Sequence, residues 1–386
     1  LDRPFRLNIL IITLVRVALN TMQRMVYPFL PAFGRGLGVD LPALSLALTL
    51  RSTAGATGPF LASVADSRGR KTGMLLGLGL FVAGAALVIV WPGYLTFLLA
   101  LVLTVVGKFV FDPSMQAYIG DRVSYQRRGL VMAVTEVSWS LSFIAGVPLM
   151  GVLIASRGWQ APFPLLVLSG ALAVILLARL LPGDPTPAAG LPGFRRNLRS
   201  VLTYPPAIAA LAMGLAMSAA NEVVNLVFGV WLENSFGLQV TALGAAAALI
   251  GLAELAGESL TAGLVDRLGK PRAVGIGLVL NSLAALALPV LGHSLPGAFA
   301  GLFFFYLTFE FTVVSSLPLL TEVLPAARAT LMSTNIAGFS LGRALGAALA
   351  PVLFSYGIAA SAGVALIFNL ASLFALLRIG EVDSSP

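Results

Sequence analysis

The sequence predicts an all-α integral membrane protein with twelve transmembrane helices arranged as two pseudo-symmetric six-helix bundles. Three observations carry that prediction. The 386 residues are 58% hydrophobic and 10% charged, with a mean hydropathy of +0.95, whereas soluble domains are about 25% charged. The apolar runs exceed the ~18 residues that mark a spanning helix, and their Ala/Leu/Gly/Val composition lacks the period-2 alternation of a membrane barrel. A short charged turn, Asp66-Ser67-Arg68-Gly69-Arg70-Lys71, returns without a gap as Asp266-Arg267-Leu268-Gly269-Lys270-Pro271, so the chain reads as two copies of one unit.

Cutting the chain at Pro, Gly and charge clusters yields spans at 7–33, 43–65, 73–91, 94–119, 129–155 and 161–181 in the first half. The second half has spans at 205–232, 240–265, 273–292, 296–321, 329–356 and 358–378. Between them, residues 182–204 read as a linker, because their prolines and glycines oppose a helix and Arg195, Arg196 and Arg199 oppose insertion. The expected bundles are therefore 1–181 and 205–386. The first span is too long and too polar in its middle to read as a cleavable signal. There is no cysteine and one histidine, His293, so no disulfide or His/Cys metal cluster is expected, and no cofactor.

Lys and Arg set the expected orientation. Placing the amino terminus, the turns after even spans and the carboxyl terminus on one side collects Arg3, Arg6, Arg68, Arg70, Lys71, Arg122, Arg127, Arg128, Arg179, Arg195, Arg196, Arg199, Arg267, Lys270, Arg272, Arg328 and Arg378 there. Only Arg35 and Arg157 fall on the other. This bias puts both termini and the linker in the cytoplasm of a bacterial-type inner membrane. It also accounts for the net charge of +8 as topology, against nucleic-acid binding. Trp91, Trp159 and Trp231 lie near the expected outer ends and read as interfacial anchors.

Five bases remain at membrane depth, Arg16, Arg24, Arg51, Lys108 and Arg343, with six acids, Asp112, Glu136, Glu222, Glu254, Glu258 and Glu310. Each costs at least ~2.5 kcal/mol at the centre of an isolated helix, so they must face one another or a water-filled cavity. They occupy spans 1, 2, 4, 5, 7, 8, 10 and 11; spans 3, 6, 9 and 12 carry none and are suited to face lipid. On span 1, Arg16, Asn20 and Arg24 recur every four residues and form one polar face, with Gln23 and Tyr27 beside it. The bases concentrate in the first half and the acids in the second. Lys108 with Asp112, Glu254 with Arg343 and Arg51 with Glu136 are candidate structural pairs.

The twelve spans, the repeat and the every-third-span rule together resemble the major facilitator superfamily. The turn at Asp66-Ser67-Arg68-Gly69-Arg70-Lys71 is similar to the family signature between spans 2 and 3, with Ala62, Val64 and Ser67 in place of its Gly, Leu and Arg. Asp121-Arg122 with Arg127-Arg128-Gly129 resembles the passage from span 4 to 5, and Gly158-Trp159 the turn into span 6. Gly146-Val147-Pro148-Leu149-Met150-Gly151 is a partial match to the span-5 element of the family's drug/proton antiporters.

The resemblance implies a secondary transporter working by alternating access, without enzymatic activity, whose spans 1, 4, 7 and 10 line a central cavity. Candidate substrate-binding residues are then Arg16, Asn20, Arg24, Lys108, Asn221, Asn225 and Tyr306. Candidate proton-coupling residues are Asp112, Glu136, Glu222, Glu254, Glu310 and Arg343. The expected cargo is a small amphipathic or organic anionic solute, exported against protons, by a monomer among membrane lipids. A lipid or lysolipid translocator and a proton-coupled importer are the alternatives. The repeated turn, Asp66, Arg68, Gly69, Arg70, Asp266 and Gly269, reads as a cytoplasmic latch, since an Asp there can bond the exposed N–H groups at a helix start. Pro28 and Pro31 in span 1 and Gly146, Pro148 and Gly151 in span 5 are helix breakers, and Gly338, Gly342 and Gly346 would let span 11 approach a neighbour closely.

Overall fold

The computed structural model describes residues 3–61, 69–183 and 194–380. Among them, eleven helices are long and apolar enough to cross a membrane. The remaining expected span, the second, begins with Leu41–Gly55, and its far end, at 62–65, lies outside the described residues. The chain divides into two compact units. One comprises residues 1–190 with 239–248, the other 191–238 with 249–386.

In the first unit, span 1 is two helices, Arg3–Arg24 and Leu30–Leu37, rather than the single run expected. Pro28 and Pro31 supply no backbone donors, so the ladder fails between them, and the Tyr27 N–H bonds the Arg24 carbonyl instead of that of Gln23. Span 2 starts on a capped turn, with the Asp40 carboxylate accepting from the Ala43 N–H at 3.0 Å. Spans 3 and 4, Arg70–Val90 and Tyr94–Arg122, cross where Gly77 meets Gly107. A Cβ on either glycine would sit 2.5 Å from the other's carbonyl oxygen. Span 5 is Tyr125–Leu141, a π-helical turn at Ser142–Gly146, and Val147–Arg157. Pro148 cannot donate to Ile144, and Val147 N–H reaches back five residues to the Ser142 carbonyl, which widens the turn. Span 6 is Pro162–Leu180.

In the second unit, span 7 is likewise broken, into Pro205–Asn225 and Phe228–Phe236. Here no proline marks the break, which the sequence reading placed inside one continuous span. Span 8, Val240–Leu268, has its first residues, to 248, in the first unit and the rest in the second; spans 9 to 12 are Lys270–Leu291, Leu295–Val323, Arg328–Phe354 and Ile358–Gly380. The expected close approach of span 11 is made to span 7: a Cβ at Gly346 would lie 2.7 Å from that of Glu222, and one at Gly342 would run into the Leu215 carbonyl.

Two expectations change. The segment 182–204, expected as a non-helical linker, contains a helix, Phe194–Thr203, because its last proline is Pro192 and the Arg and Leu residues that follow favour helix. Its Val201 is fully buried in a cluster with Ala207, Ala327 and Leu331. Of the three tryptophans read as interfacial anchors, Trp91 is exposed, but Trp231 is buried over Gly292. Trp159 packs among Phe33, Phe97 and Phe163 at centroid distances of 6.1–6.5 Å. The absence of a Cβ at Gly36 and Gly292 is what lets these indoles close in.

Candidate functional site

The first unit gathers the polar face of span 1 against spans 4 and 5. Arg16 is its junction. Its Nε donates to Asp112 Oδ1 at 3.1 Å, its two terminal nitrogens grip Glu136 at 3.0 and 3.1 Å, and Nη1 also donates to the Thr135 carbonyl at 2.8 Å. This is the bidentate fork geometry that a guanidinium provides and an ammonium does not. Lys108 bonds Asp112 Oδ2 at 2.7 Å within span 4 and Asn20 Oδ1 at 2.8 Å on span 1. Asn20, fully buried, passes the chain on to Ser138 Oγ at 3.3 Å. Two cations and two carboxylates are thereby contiguous, which is how such charges are held at membrane depth. The carboxylates differ in access: the side chain of Asp112 is 18% exposed and that of Glu136 is 50% exposed.

Arg24, the third residue of the stripe, lies with its guanidinium 4.1 Å from the Trp139 ring centroid and 3.5 Å from that of Phe143, and donates to the Trp139 carbonyl at 2.8 Å. The aromatic faces and carbonyl dipole stabilise a buried cation here. The same region of span 5 contains the π-helical turn, and Gly146 there leaves room for Thr21 of span 1.

Arg51 departs from its expected pairing. Glu136 is held by Arg16, whereas Arg51 donates to the Gln23 carbonyl at 2.9 Å and to the Tyr27 hydroxyl at 2.6 Å, with that ring's centroid at 5.3 Å. The Gln23 carbonyl is the acceptor released when Tyr27 N–H turns to Arg24. Arg51 therefore clamps both sides of the break in span 1 and satisfies the acceptor that the break exposes. Counting charges directed Arg51 to a carboxylate; only the broken backbone shows what it serves.

Three candidate residues of the second unit, Glu222, Asn225 and Tyr306, meet at the break in span 7. Asn225 is the last residue of the first helical segment; it accepts from the Tyr306 hydroxyl at 2.6 Å and donates to Glu222 Oε2 at 3.4 Å. Spans 7 and 10 are thus joined through groups the sequence had singled out separately. Asn221, Glu222, Glu254 and Glu310 are all buried, and Arg343 is partly so. A polar seam that the charge census missed joins spans 9 and 12, which carry no membrane-depth charge, to span 10. Asn281 of span 9 donates to the Phe305 carbonyl at 2.8 Å and to Thr308 at 3.1 Å, and Asn369 of span 12 donates to Asn281 at 2.8 Å. Paired asparagines without a nearby charge were its only signal.

Of the repeated turn, Asp66 and Arg68 lie outside the described residues. Gly69 and Gly269 immediately precede spans 3 and 9 with φ of 97° and 82°, a region open to glycine and strained for other residues. The basic residue that follows bonds the end of the next span in each unit: Arg70 with Asp121 at 3.1 Å, and Lys270 with Glu322. Asp266 is exposed near the end of span 8. The repeat thus includes a pairing as well as a sequence, since span 3 is tied to span 4 and span 9 to span 10.

Comparison with known proteins agrees with this architecture. The chain is 26% identical over 384 residues to the uncharacterized MFS-type transporter YwfA of Bacillus subtilis, covering 97% of this chain and 93% of the relative. It is 26% identical to the inner membrane transport protein YdhP of Escherichia coli K12, over 85% and 84% of the two chains. A crystal structure of a peptide transporter POT in complex with sulfate superposes with a TM-score of 0.78, at 18% identity, over 97% of this chain and 95% of the other; this likeness shows the shared fold. The family model described as Major Facilitator Superfamily matches residues 12–230 and again 211–386. The chain is a multi-pass membrane transporter, not an enzyme, and it belongs to the major facilitator superfamily.

Proposed function

We propose that this transporter works by alternating access and carries a small amphipathic or organic anionic solute together with protons, in the direction of uptake, with both termini cytoplasmic. The observation that carries the reading is the junction at Arg16. A buried guanidinium is gripped by a carboxylate, Glu136, whose side chain is half exposed, while its other carboxylate, Asp112, is shared with Lys108. A proton taken up at Glu136 would remove that negative charge and free two guanidinium donors for an anion. Loss of the proton would restore the ion pair and displace the anion. The Glu136 carboxylate and the solute thus compete for one cation, so proton and anion are bound together, which is the elementary requirement of a symporter.

Asn20, Arg24 and Lys108 would orient the solute in the first unit, and Asn221, Asn225 and Tyr306 in the second. Glu222, Glu254, Glu310 and Arg343 would complete the proton path. The broken spans 1 and 7 support movement, because each break adjoins these groups. Within the repeated turn, Asp66, Arg68, Gly69, Arg70, Asp266 and Gly269 would latch the cytoplasmic side. The span-5 element from Gly146 to Gly151 favours a second reading, export against protons, its proline lying at the widened turn beside Arg24.

The test uses proteoliposomes containing a pH-sensitive dye and a panel of organic anions and amphipathic solutes. A substrate should evoke proton movement in its own direction in wild type; movement in the opposite direction would favour export against protons instead. Glu136→Gln should still exchange solute across the membrane while losing accumulation driven by a pH gradient. Unchanged gradient-driven accumulation in both Glu136→Gln and the Glu222→Gln/Glu310→Gln double variant would refute the coupling.

A further inference from the structure

A second feature of the first unit points outward. Spans 1, 3 and 6 enclose a cavity of about 200 Å³, lined from Ile11 to Ala18 on span 1, by Leu78 and Phe81 on span 3, and from Ser169 to Leu176 on span 6. That volume would hold roughly seven waters at their liquid volume, yet a buried water needs two to four polar partners. Ser169 is the polar side chain in the lining, and its hydroxyl donates to the Leu166 carbonyl at 2.9 Å. Water is therefore a poor occupant and hydrocarbon a good one. The lips of the cavity are exposed leucines, Leu14 and Leu172, so it opens toward the side of the helices on which lipid lies.

The depth and rim of the cavity select the kind of hydrocarbon. Lys71 at the start of span 3 donates to the Ala178 and Leu181 carbonyls at the end of span 6, which puts those ends together. Asn8 and Phe5 at the start of span 1 meet Tyr118 near the end of span 4, where Arg70 meets Asp121. Exposed Arg6 and Arg179 stand at this same end. At 1.5 Å per residue the lining begins roughly 5–8 Å inside these arginines and ends roughly 15–18 Å inside them. One leaflet's hydrocarbon is about 15 Å deep. The cavity therefore spans the acyl depth of a single leaflet, below a basic rim at headgroup level.

We infer that spans 1, 3 and 6 hold an anionic phospholipid, with a stretch of one acyl chain in this cavity and its phosphate headgroup at Arg6 and Arg179. This lipid is a bound component of the first bundle, distinct from the transported solute.

The experiment is native mass spectrometry of the full chain, delipidated in detergent and titrated with dioleoyl phosphatidylglycerol or dioleoyl phosphatidylcholine. Wild type should retain one phosphatidylglycerol with a preference over phosphatidylcholine of roughly fivefold for each arginine engaged. Arg6→Gln/Arg179→Gln should abolish the preference while leaving chain binding. Ala18→Phe, which fills the cavity, should abolish retention of both lipids. If Ala18→Phe does not fold, Ser169→Phe fills the cavity from span 6 and is read in the same way. Equal retention by wild type and the filled variants overturns the inference, as does equal affinity for the two lipids in wild type. A wild-type dimer that the filling substitution converts to monomer would overturn it too, by showing that a second copy occupies the cavity.

Discussion

Replacing Arg16 with methionine tests whether the junction of spans 1, 4 and 5 holds the first bundle together. The substitution approximates the side chain's apolar length and deletes its four donor contacts. Glu136, half exposed, can be solvated once released, so its arm contributes about 1 kcal/mol. Asp112 keeps Lys108 but loses a partner in a buried setting, at a cost of about 1–2 kcal/mol. The buried Thr135 carbonyl, which also accepts from Ser138 at 2.6 Å, loses a charged donor for about 1 kcal/mol. The expected total is about 3–4 kcal/mol. Spread over a domain of this size, that lowers the melting temperature in detergent by roughly 6–16 °C. Adding Glu136→Gln should cost less in the Arg16→Met background than in wild type, since the carboxylate has already lost its partner. A melting point within 2 °C of wild type for Arg16→Met, or strict additivity in the pair, would refute the reasoning.

Three further outcomes follow from the packing and the breaks. Arg51→Lys retains a charge but cannot reproduce the planar bridge from the Gln23 carbonyl to the Tyr27 hydroxyl; thermal melts should show about 1–2 kcal/mol lost, and Tyr27→Phe somewhat less. Gly342→Leu should prevent recovery of monodisperse protein by size-exclusion chromatography, because the side chain would enter the span 7 backbone at Leu215. Gly338→Ala should be tolerated, its Cβ meeting the Leu211 carbonyl at 3.5 Å. The pairs Arg70–Asp121 and Lys270–Glu322 are partly exposed, so Asp121→Asn and Glu322→Gln should each change stability by less than about 1 kcal/mol in the same melts.

Much of the architecture was legible because a bilayer leaves few options. A run of apolar residues at membrane depth must satisfy its own backbone, so length and composition alone identify spans. Charges there are expensive, so their positions separate polar spans from lipid-facing ones. The duplicated turn was legible because glycine at Gly69 and Gly269 answers a local backbone requirement, a positive φ before the next helix. The Lys108–Asp112 pair was legible for the same local reason, being four residues apart on one helix.

What the sequence by itself determined was the membrane class, the duplication and the set of side chains that needed polar company. Which groups supply that company was decided by tertiary structure. Arg16 rather than Arg51 holds Glu136, and Arg51 instead serves a carbonyl exposed by the broken ladder of span 1. The break in span 7, which no proline announces, places Asn225 within reach of Tyr306. The helix Phe194–Thr203 is recruited by a hydrophobic cluster around Val201. The physical reason is one of range. Burial cost and backbone geometry act within a helix and are inscribed in its residues, whereas the choice among several possible ion-pair and hydrogen-bond partners depends on which helices cross, and at what height, in the folded bundle.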